Sequence, residues 1–69
     1  MTMRDAVKIG KEIAEGAATI QPHYGYPKSN RGLKICGCLS ETADAIGDKI
    51  ANILKGQYNS DPGFCCVWF

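Results

Sequence analysis

Sixty-nine residues hold one domain, because a chain this short buries only about 60% of the surface its unfolded form exposes, and that leaves no room for a multi-domain enzyme. With 45% hydrophobic and 22% charged residues and a net charge of +1, the composition is that of a globular chain, which excludes disorder and collagen-like order. No charge-free stretch approaches the roughly 20 apolar residues of a membrane span, and the charged start, Met1 to Lys8, lacks the apolar core of a signal peptide. The expectation is a cytoplasmic protein with no membrane partner and with reduced thiols.

The first predicted element is a helix over 3–20. Ala6, Ile9, Gly10, Ile13, Ala17 and Ile20 recur on one face, while Arg4, Lys8, Lys11 and Glu15 share the other. Residues 21–32 then read as a loop rich in Pro and Gly, and 33–38 as a short strand beginning Leu33-Lys34-Ile35-Cys36. A second amphipathic helix is expected over 41–55, with Ser40 as N-cap, Gly56 as terminator and the stripe Ala43, Ile46, Gly47, Ile50, Ile53, Leu54. A turn over 56–63 leads to a final apolar strand, 64–69.

The expected fold is therefore α+β, with two amphipathic helices each followed by a short strand. A right-handed crossover would place those strands parallel, and a pair so small needs a third strand, a covering helix or a second copy beside it. The alternative is an all-α hairpin with irregular cysteine segments.

The two halves look alike. Ile9-Gly10-Lys11-Glu12-Ile13-Ala14 matches Ile46-Gly47-Asp48-Lys49-Ile50-Ala51 at a shift of 37, and Ser29-Asn30-Arg31-Gly32-Leu33 matches Ser60-Asp61-Pro62-Gly63-Phe64 at a shift of 31. Glycine inside a helix costs about 1 kcal/mol against alanine, so Gly10 and Gly47 imply a close approach of one helix to another, within the chain or across a homodimer. Exposed Trp68 and Phe69 would also favour a dimer.

Three groups of residues carry candidate chemistry. The segment 21–34 interleaves Tyr24 and Tyr26 with Lys28, Arg31 and Lys34, a concentration of +3 with no acid, and His23 lies beside it as a surface loop residue. Such a loop suits an acidic protein surface or nucleic acid, with tyrosines as anchors or stacking platforms. The cysteines Cys36, Cys38, Cys65 and Cys66 are the second group. Their C-x-C and C-C spacings lack the C-x-x-C pattern of a zinc knuckle, so no cofactor is expected and zinc or a thiol redox role is the competing reading. In a strand, Cys36 and Cys38 would share a face, and Cys65 and Cys66 would point to opposite faces. The third is the C-terminal Cys66-Val67-Trp68-Phe69, which has the bare form of a prenylation box without its basic neighbours; aromatics that bury or self-associate are the competing use.

The sequence thus points to a small non-catalytic binding protein, an adaptor, regulator or inhibitor of a larger macromolecule that works through Tyr24, Tyr26, Lys28, Arg31 and Lys34. A metal or thiol module is the second reading. A secreted or processed peptide with cross-linked cysteines is the third.

Overall fold

The computed structural model describes residues 1–27, 29–61 and 64–69, with the side chain of Asp61 left aside. Chain order is α1 (Met3–Ala14), β1 (Thr19–Tyr24), β2 (Arg31–Cys36), α2 (Ser40–Leu54), β3 (Gln57–Asp61) and β4 (Phe64–Trp68). The α+β class holds, and the all-helical alternative falls. The order differs from the expected one by two strands, so each helix is followed by a hairpin.

Local chemistry explains the boundaries. The Thr2 hydroxyl accepts the Asp5 N–H and caps α1. Glu15 and Gly16 turn left-handed, at φ 51° and 81°, so the helix stops at Ala14 and not at residue 20. Ile20, expected on the helix stripe, is instead a buried strand residue. The cap of α2 is Leu39, with no side-chain hydrogen bond, so Ser40 is the first helical residue and not the N-cap. At its far end Lys55, not Gly56, takes the left-handed position, and the Gly56 N–H returns to the Ala51 carbonyl.

The four strands form one sheet in the order β1-β2-β4-β3, antiparallel throughout. The expected parallel pair is corrected: β3 reverses the chain before β4 arrives, so β4 enters beside β2 in the opposite sense. The result is two αββ halves related by an approximate two-fold axis through the β2–β4 seam. Ile20 pairs with Ile35 in the first half as Tyr58 pairs with Val67 in the second. Gly10 lies against Ile20, and Gly47 lies against Tyr58. The expected match at a shift of 31 is out of phase with this symmetry, since Leu33 faces the core and Phe64 faces away from it.

Both helices pack on one face of the sheet, α1 over β1 and β2 and α2 over β3 and β4. The core between the layers is Ala6, Ala14, Ile20, Leu33, Ile35, Ala43, Ile46, Ile50 and Val67. Small residues on the buried side of each helix bring it close to the strands. At Gly47 a Cβ would lie 2.3 Å from two ring carbons of Tyr58, so this glycine serves a helix-to-sheet contact within the chain, where a helix-to-helix or dimer contact was expected. With its ring seated there, the Tyr58 hydroxyl donates to the Asp44 carboxylate at 2.7 Å.

Candidate functional site

Because both helices cover the same side, the other side of the sheet has no covering element among the described residues. Strand alternation decides what stands on it. One register row across the four strands reads His23, Gly32, Trp68, Gln57, and the next reads Gln21, Lys34, Cys66, Asn59. Phe64 stands beyond, at the start of β4.

These side chains form a second, smaller cluster. The His23 ring meets Phe64 edge-on at 4.9 Å between centroids and Trp68 at 5.4 Å, and the Lys34 ammonium lies 5.5 Å from the Phe64 ring centre. Cys66 is fully buried beneath them. Burial pushes its thiol up to about 11, against a smaller lowering by the Leu33 backbone. Gly32 makes the arrangement possible, because a Cβ there would lie 2.7 Å from the Cys66 sulfur and 3.0 Å from the Trp68 ring. His23, expected in a loop, is thus a half-buried strand residue of this cluster.

Beside Trp68 the face runs into an open depression of about 480 Å³, bordered by Tyr26, Asn30, Arg31, Gln57, Asn59 and Phe69. The β1–β2 turn forms its rim, closed by the Gly25 N–H on the Asn30 carbonyl at 2.7 Å. Among the described residues, the lining of this depression carries no acid.

The sequence-predicted binding residues separate in space. Tyr26, 98% exposed, sits on the turn at the depression, and Tyr24 ends β1, half exposed. Lys34 stands on the open face, near its centre. Arg31 points to the helix side of the same strand, where it donates to the Met1 carbonyl at 2.7 Å and lies 5.0 Å from the Phe69 ring centre, while its outer part borders the depression. Lys28 lies outside the described residues. Trp68 and Phe69 find cover within the chain: Trp68 against Gly25 and Gly32, Phe69 against the core.

The four cysteines are free thiols and do not converge. Cys65 faces the helices and Cys66 the open side, as strand alternation predicts. Cys36 and Cys38 do not share a face, because the strand ends at Cys36 and Gly37 turns at φ 76°. The Cys36 thiol points to the Thr19 carbonyl, whereas Cys38 packs on the core. Cys36, Cys38 and Cys65 do border one depression of about 570 Å³ near the start of α2, yet no group of three or more His, Cys, Asp or Glu among the described residues is placed to hold a metal ion. Near it Tyr58 is held well above the usual phenol range by burial, then by its hydrogen bonds to Cys65 and Asp44.

Sequence reasoning missed His23, Phe64, Gln57 and Asn59 as surface partners of Trp68. The alternation Phe64, Cys66, Trp68 was visible, but which alternate set lies uncovered depends on where the helices pack. No described helix is long and apolar enough to cross a membrane. No family model, curated protein or solved structure matches the chain.

Proposed function

We propose that the chain is a small non-catalytic binding protein that engages a larger macromolecule, as adaptor, regulator or inhibitor, through the open face of its sheet and the adjoining Tyr26 turn. The observation that carries this reading is the uncovered cluster His23, Phe64, Trp68 and Lys34, which continues into a polar depression free of acids among the described side chains. A face that combines half-buried aromatics with amides and one central cation has the composition of a contact surface. Four free thiols suit a reducing compartment such as the cytoplasm.

The test is a comparison of two charge reversals. Immobilised wild-type chain, Lys34→Glu and Lys8→Glu are exposed to fractionated protein and nucleic acid, with Lys8 chosen because it is exposed on the outer side of α1. A partner that wild-type and Lys8→Glu retain and Lys34→Glu releases supports the open face. Equal retention by all three, or loss only with Lys8→Glu, refutes it.

A further inference from the structure

We infer that the partner of this face is single-stranded nucleic acid, with one base seated in the depression beside Trp68 and the phosphate chain running toward Lys34. The inference rests on the open face being the contact surface. It follows from which chemical groups meet there. Trp68 and the fully exposed Tyr26 offer aromatic surfaces at one depression. Asn30, Gln57 and Asn59 border it; Asn30 spends one amide N–H on the Tyr26 carbonyl at 3.4 Å, and the side-chain amides otherwise both donate and accept, as base edges require. Arg31 borders it as a cation; one of its five donors is used on Met1, and the others are available for phosphate. Lys34 supplies a second cation on the open face, one register row away from Trp68.

The same observations weigh against other occupants. A second copy laid face to face about an axis near the middle of the β2–β4 seam would set Lys34 against its own image. A duplex hides its bases, and the two cations among the described residues of the site are too few to hold it by phosphates alone. An acidic peptide would use the cations and pack on the aromatics, but it offers no planar base to stack on Trp68 and Tyr26. Four strands at about 4.8 Å spacing span roughly 15 Å, room for about two or three unstacked nucleotides.

Trp68 is the single tryptophan, so its emission reports on the site in the unlabelled chain. The probes are heptauridylate, a duplex of similar length and a capped heptaglutamate peptide, each titrated at low salt. Saturable quenching by heptauridylate and none by the duplex is expected. Tyr26→Ala should weaken that binding by about fivefold or more, the worth of one stacked base. This side chain is 98% exposed, so folding is left intact. Lys34→Glu should weaken binding further, and the logarithm of affinity should fall with the logarithm of salt with a slope of about −1.4, as for two phosphate contacts.

Absence of quenching by heptauridylate, or equal binding by Tyr26→Ala, overturns the inference. If heptaglutamate alone moves the Trp68 signal, nucleic acid is refuted while the open face stands as a protein-binding surface. A concentration-dependent dimer that blocks the face overturns the inference as well.

Discussion

Replacing Gly47 with alanine separates two opposing effects of known size. In an isolated helix the change stabilises by about 1 kcal/mol. Here the new Cβ would stand 2.3 Å from ring carbons of Tyr58, where ordinary contact begins near 3.4 Å, so ring and helix must part by about an ångström. Overpacking of that kind costs about 1 to 3 kcal/mol. Moving the ring also loosens its 2.7 Å hydrogen bond to Asp44, worth about 1 kcal/mol net. The expected sum is a destabilisation of roughly 1 to 3 kcal/mol.

Urea unfolding followed by far-ultraviolet circular dichroism measures it. Repeating the change in a Tyr58→Ala background isolates the clash. With the ring gone, Gly47→Ala should become neutral or stabilise by up to about 1 kcal/mol, giving a coupling of about 1 to 4 kcal/mol between the two sites. A Gly47→Ala protein more stable than wild type, with Tyr58 present, would refute the reasoning.

At the related position, a Cβ on Gly10 would meet the methyl ends of Ile20 at 2.9 Å and Leu33 at 3.2 Å, which yield more easily than a ring; Gly10→Ala should fall within about 1 kcal/mol of wild type in the same urea assay. Arg31→Ser should cost about 1 kcal/mol, because it removes the contact with Met1 and the stacking on Phe69, and the thermal midpoint should drop accordingly. Cys66 is fully buried and the other three thiols partly exposed, so a disulfide reagent should titrate three thiols in the native chain and the fourth only in denaturant. Its thiol is raised to about 11 in the folded chain, so the protonated form stabilises the fold. That contribution is complete below about pH 9 and is lost as pH rises through 11, by about 3 kcal/mol, which urea midpoints measured across this range should follow.

The helices were legible because Ala43, Ile46, Gly47 and Ile50 recur at helical spacing and the sheet needs that face whatever its topology. Strands β2 and β4 were legible because they run through the centre of the sheet and carry Leu33, Ile35 and Val67 into the core. The edge strands were not. Gln57–Asp61 has one apolar side chain, Tyr58, and its pairing is made by the backbone with water on its outer edge, so its composition reads as a turn. Thr19–Tyr24 holds Pro22, which an edge strand tolerates and which a sequence reading takes for a break. Without these strands the seam looked parallel, and the basic residues looked like one cluster. Alternation around Gly32 and Leu33 sends Lys34 to the open side and Arg31 to the helix side, where no spacing rule applied to a loop would place them.

The two-fold relation between the halves has a consequence for how different they are free to become. A shift of 32 carries Lys34 onto Cys66, and the two are direct neighbours across the seam. Were the sheet built from two identical αββ chains, that position would set lysine beside lysine, a like-charge pair that destabilises antiparallel strands. Joined in one chain, the halves need not agree. A buried thiol occupies the partner position and leaves one cation in place of two. The tryptophan likewise stands only in the second half, so a symmetrical scaffold carries a one-sided surface with a defined direction along its strands.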